Sequence, residues 1–88
     1  MFFNLREQYN IVIVQIIYRK FTPEIKKLVN RLRRIRAVED IIFSKGERNM
    51  LIVDGLVAWK EGDGDPMEGF YDIRIIKSML EINPEVSA

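Results

Sequence analysis

Met50 to Trp59 reads MLIVDGLVAW, two short apolar runs split by Asp54-Gly55. Asp-Gly is a pair that type I′ hairpin turns favour, because both central residues must take positive φ. The stretch therefore predicts two antiparallel strands, Met50 to Val53 and Leu56 to Trp59. Just downstream, Glu61 to Asp65 (EGDGD) is a polar loop. Asp65-Pro66-Met67-Glu68 then supplies an N-cap carboxylate, a proline at the first helical position and a Glu at the third. A helix should follow to about Ile82, where Asn83-Pro84 stops it.

Upstream, Asn10 to Tyr18 (NIVIVQIIY) is β-branched and apolar at both alternating sets of positions, as a strand buried on both faces requires. Thr22-Pro23-Glu24 is a second helix start, with a hydroxyl cap, a proline and an acid in the first turn. Behind it Ile25, Leu28, Val29, Leu32 and Ile35 recur at helical spacing, which predicts a helix from about Pro23 to Arg36. Val38 to Ser44 (VEDIIFS) is a further strand, parallel to the first because a helix joins the two. Lys45 to Asn49 is a polar turn. The order is β-α-β-β-β-α, a mixed four-stranded sheet with two helices in one domain spanning residues 1–88.

The segment MLIVDGLVAW with its loop and helix resembles the C-terminal ββα unit of the thioredoxin and glutaredoxin family, and the first strand and helix resemble that family's opening βα unit. The resemblance implies a thioredoxin-like fold. Where the family carries its redox Cys-x-x-Cys, this chain has Thr22, Pro23, Glu24 and Ile25. Near Asn49, where the family has a proline, none is present, and the helix between the second and third strands is missing. A redox-inactive member of that fold is what the resemblance implies. The alternative fold is a ferredoxin-like split βαβ, with Met50 to Lys60 as one long bulged strand in a hairpin with the second strand.

Composition narrows the chemistry. The 88 residues include no Cys and no His. Zinc–thiolate sites, disulfides, cysteine nucleophiles and every Ser-His relay are therefore excluded within the chain. Thr22, Ser44, Ser78 and Ser87 are the only hydroxyl nucleophiles short of tyrosine, and no glycine-rich phosphate loop surrounds them. Ile-rich, Ala-poor composition with dense charges of both signs is that of proteins from hot environments. Ile11 to Ile17 is too short to cross a bilayer, and Tyr18-Arg19-Lys20-Phe21 is no signal-cleavage site. The expected location is cytoplasmic, without membrane association.

Charge is divided along the chain. Residues 1–36 hold 9 Lys or Arg against 2 acids and residues 37–88 hold 5 against 11, so a net charge of +1 conceals halves of +7 and −6. On the first helix Lys26, Lys27, Arg31, Arg33 and Arg34 project away from the apolar stripe, a face able to neutralise phosphates. No interleaved aromatics are apparent there to stack bases. Glu61, Asp63, Asp65 and Asp72 stand at relative positions 1, 3, 5 and 12, the ligand spacing of an EF-hand loop. Pro66 occupies the position that needs Gly, and Asp65 and Glu68 serve better as helix caps, so no metal site is expected. Trp59 and Tyr71 flank the loop and are read as rim residues of the core.

The second helix has apolar residues over more than half its circumference, more than one sheet face needs. Its surplus side, with Ile75, Met79 and Ile82, is the expected interface. If both helices lie on one side of the sheet, only Met1-Phe2-Phe3 is left to shield the other face. The reading that results is a non-enzymatic small α/β protein acting through association, as a homodimer or as a subunit of a larger complex. It has no catalytic residues and no cofactor. The alternative is a nucleic-acid-binding protein using the basic face of the first helix.

Overall fold

The computed structural model describes residues 11–82, with side chains described as far as Met79. Along the chain run β1 (Val12–Tyr18), α1 (Pro23–Arg33), β2 (Val38–Lys45), β3 (Met50–Val53), β4 (Leu56–Lys60) and α2 (Pro66–Ile82). The result is one small α/β domain with a mixed four-stranded sheet in the order β2-β1-β3-β4. β1 is parallel to β2, with Val14 opposite Ile41 and Ile16 opposite Phe43. It is antiparallel to β3, with Val14 opposite Val53 and Ile16 opposite Leu51.

The ferredoxin-like alternative fails at this point, because β2 pairs with β1 and Met50 to Lys60 is two strands rather than one. Asp54 (φ 49°) and Gly55 (φ 83°) both take positive φ, the requirement of the Asp-Gly turn. The same aspartate ties the turn to the neighbouring strand. Its backbone N–H donates to Ile13 O at 2.9 Å, and its Oδ1 accepts from Ile13 N at 2.8 Å. Lys77 reaches across from α2 to Asp54 Oδ2 and to the carbonyl of Ile11.

α1 ends at Arg33, three residues before the boundary that the apolar spacing suggests. Arg34 and Ile35 donate to carbonyls three residues back, at 3.2 and 3.0 Å, which tightens the last turn. Ala37 is already engaged with β1, its carbonyl accepting from Val12 N at 2.8 Å. The apolar stripe runs on through Ile35 because that residue still packs on the core after the helix has finished.

The ends of β2 and β3 are separated by β1, hence by about 10 Å across the sheet. Residues 46–49 bridge that gap over the C-terminal end of β1. Gly46 N donates to Tyr18 O at 2.9 Å, and Asn49 Oδ1 accepts from Arg19 N at 2.8 Å. No intervening helix is required.

Both helices pack on one face of the sheet. Val12, Val14, Ile16, Leu51 and Val53 point into it and meet Ile25, Leu28, Val29 and Leu32 of α1 and Met67 and Phe70 of α2. In β4 an extra residue, Ala58, bulges out of the ladder between Val57 and Trp59. α2 sits so close to it that a Cβ on Gly69 would lie 1.9 Å from the Ala58 carbonyl oxygen. The opposite face carries Ile13, Gln15 and Ile17 from β1, Ile42 and Ser44 from β2, Met50 and Ile52 from β3, and Val57 from β4. No helix among the described residues covers it. The shield expected from Met1-Phe2-Phe3 lies outside the described residues, as does the Asn83-Pro84 stop.

Candidate functional site

Three surfaces and one cleft come out of this architecture. The cleft, about 500 Å³, opens at the C-terminal end of β1, between the start of α1 and the loop from β4 to α2. Carboxyl ends of parallel strands are where open α/β sheets commonly place ligands. Its polar groups are bound to one another. Asn49 N donates to Glu61 Oε1 at 3.1 Å, Glu61 N returns a bond to Asn49 O at 2.8 Å, and Arg19 Nη2 lies 3.4 Å from Glu61 Oε2. Trp59 Nε1 donates to Gly64 O at 2.8 Å, fixing the loop over the indole.

Two more of the acidic residues with EF-hand spacing serve backbone donors in the same way. Asp63 Oδ2 accepts from Lys60 N at 3.2 Å, and Asp65 Oδ1 caps α2 through Met67 N at 3.0 Å. Asp72 stands on the outer side of α2, exposed. Among the described residues no three His, Cys, Asp or Glu stand together as metal ligands would. Thr22 caps α1, its hydroxyl accepting from Ile25 N at 3.3 Å. Among the described residues that line the cleft, none forms a relay or an activated nucleophile. Trp59 lines it and also packs on the core, whereas Tyr71 lies away from it, exposed and edge-on to Phe70 at 5.4 Å.

The first surface is the open face of the sheet, where Ile13 is 44%, Ile42 46% and Val57 53% exposed. The second is the outer side of α2, with Ile75 and Met79 each 59% exposed beside Ile76 and Tyr71. Ile82 belongs to the backbone of that helix, but its side chain lies outside the described residues. Among the described residues no helix is long and apolar enough to cross a membrane.

The basic face of α1 holds the five residues picked out by the sequence, and all five are exposed. Lys26, Lys27, Arg31 and Arg34 surround one shallow groove with Pro23 and Asn30. Arg33 turns to the flank facing β2, where it shares a depression with Phe43. No aromatic residue interleaves with these cations along α1, but two from outside the helix stand beside it. Phe21, just before α1, and Phe43, on edge strand β2, stand with ring centroids 6.1 Å apart, and Tyr18 meets Phe21 edge-on at 6.0 Å. Residues far apart in the chain form this cluster, so helical spacing alone gave no sign of it.

Comparison with protein-family models, with curated proteins and with solved structures returned no match.

Proposed function

We propose that this protein is a non-enzymatic, redox-inactive α/β module of the cytoplasm that works by association, and that its first partner is a second copy of itself. The observation that carries the reading is the open sheet face, where Ile13, Ile42 and Val57 remain about half exposed around Ile17, Met50 and Ile52. A central strand apolar on both sides is the pattern of a sheet covered on both faces. Two such faces packed against each other about 10 Å apart would form a second core between protomers. Two-fold pairing is the commonest way for a small protein to close such a surface. A thioredoxin-like scaffold is part of this reading. It is supported by the parallel β1–β2 pair joined through α1, and by the β3–β4 hairpin that lies beside β1 and is covered by α2. With no cysteine in the chain, such a scaffold would serve for docking.

Light scattering at micromolar concentration tests the reading. The expected mass is twice that of one 10.4 kDa chain. Ile42→Glu and Val57→Glu lie at the two edges of the open face, where the parent side chains are already half in water. Completing the burial of one such side chain contributes about 1 kcal/mol, roughly half the value for burying it fully. Symmetry counts each substitution twice, so either should weaken the pair by about 30-fold. Met79→Glu should leave the mass unchanged. A monomer in the parent protein overturns the proposal, and dissociation by Met79→Glu alone moves the seam to α2.

A further inference from the structure

We infer that the flank of α1 facing β2 binds single-stranded nucleic acid, with the helix cations on the phosphates and Phe21 and Phe43 under the bases. Two independent features meet there. The first is charge. No carboxylate of the described residues forms an ion pair with Lys26, Lys27, Arg31, Arg33 or Arg34, whereas Arg19 pairs with Glu61 and Lys77 with Asp54. Five cations on three turns of helix repel one another and gain from an anionic partner. The acidic residues of the β4–α2 loop lie on the α2 side of α1, where Asp65 borders a depression with Lys27 and Arg31, and they are absent from the lining of the depression that Arg33 shares with Phe43.

The second feature is the pair of exposed rings. Phe21 is 52% and Phe43 40% exposed, tilted 59° to each other. Lys26 and Arg33 are seven residues apart, so they share one flank of α1 about 10 Å apart along its axis. Arg33 lines the same depression as Phe43. Cations in a row beside aromatic faces are the arrangement that single strands use, because a strand with unpaired bases can present phosphates to one and rings to the other. A duplex keeps its bases stacked inside and gains nothing from Phe21 or Phe43. Glu39 and Asp40 border the depression as well. Asp40 is in register with Ile13, on the other face of the sheet, so its carboxylate bounds the track on the outer side and keeps phosphates toward α1.

Fluorescence anisotropy of the full chain with a labelled oligouridine of about ten nucleotides tests this, a length within the range that one small domain occupies. The expected result is binding whose logarithm falls with the logarithm of salt at a slope near −3.5, since each phosphate contact contributes about −0.7. Raising salt from about 50 to 200 mM would then weaken binding by about 100-fold. Lys26→Glu with Arg33→Glu, the two cations on the flank facing β2, should abolish it. Phe21→Ala with Phe43→Ala should lower it by 10-fold or more while leaving the salt slope in place, as lost stacking does. A duplex of equal length should bind more weakly than the single strand.

Circular dichroism checks that each variant keeps the fold, and Lys26→Gln with Arg33→Gln replaces a charge-reversal variant that does not. Absence of binding at low salt, a salt-independent interaction, or binding untouched by the charge variants overturns the inference. Equal binding of duplex and single strand with no effect of the phenylalanine variants overturns the stacking platform. Competition by polyglutamate as effective as that by RNA identifies the face as a dock for acidic proteins instead.

Discussion

Asn49→Ala should destabilise the fold by about 2 kcal/mol, because its side chain is the acceptor for the backbone N–H where the chain leaves β1. Asn49 is only 9% exposed. Its Oδ1 accepts from Arg19 N at 2.8 Å, where the chain leaves β1. Its own N–H and carbonyl are held by Glu61 at 3.1 and 2.8 Å, where the chain leaves β4. Alanine keeps the two backbone bonds but leaves Arg19 N–H without its acceptor, and a part-buried donor left unpaired costs about 1 to 3 kcal/mol. With a urea dependence of about 1 kcal/mol per molar for a chain this small, the unfolding midpoint should fall by about 2 M. All variants must be measured at one protein concentration, since association adds to apparent stability. Two further substitutions separate hydrogen bonding from volume. Asn49→Asp keeps an acceptor at the same place and should recover most of the loss, whereas Asn49→Leu fills the space without an acceptor and should not. A midpoint unchanged in Asn49→Ala, or restored by leucine and not by aspartate, would refute this account of the site.

Gly69→Ala should lower the melting temperature by about 10 °C, because the new methyl meets the Ala58 carbonyl oxygen and α2 must lift away from the β4 bulge; overpacking of this kind costs about 1 to 3 kcal/mol, and each costs about 4 to 8 °C in a domain of this size. A melt that matches the parent would mean that the helix sits further from β4 than described. Thr22→Ala should cost about 1 kcal/mol through loss of the α1 cap, and Thr22→Ser should be neutral, both read in the same thermal melts. Equal losses in the two variants would assign the role of Thr22 to its methyl group.

The elements were legible because their signals are local. Asp54-Gly55 announces a turn that both residues then adopt at positive φ. Thr22-Pro23 and Asp65-Pro66 each place a capping oxygen and a proline where a helix starts. The parallel pairing of β1 and β2 also follows from the chain, since a helical crossover leaves little other choice. The choice between β1 and β2 as partner for β3 is less local. A five-residue turn suits a hairpin between neighbours, and it also suits a step over one intervening strand. Asn49 and Gly46, which make the step by bonding to Arg19 and Tyr18, carry no sequence signature of that task.

The site was legible by composition and hidden in its placement. Five cations on the outer side of α1 could be read from helical spacing, because a helix fixes the direction of every side chain relative to its own stripe. Their neighbours could not, because Phe43 reaches α1 only through the register that sets it opposite Ile16, and Phe21 only through the turn between Tyr18 and Thr22. The same limit explains the acidic loop. Its spacing of carboxylates resembles a cation site, yet each of Glu61, Asp63 and Asp65 finds a donor within reach, in Asn49, Lys60 and Met67. Backbone N–H groups at a strand end and a helix start need acceptors when water is partly excluded, and the nearest carboxylates supply them. The basic residues of α1 have no such local use, since an interior helical N–H already has its acceptor four residues back and a cation accepts nothing. In this fold, therefore, Glu61, Asp63 and Asp65 serve backbone donors of the chain, and the cations of α1 stay turned to solvent.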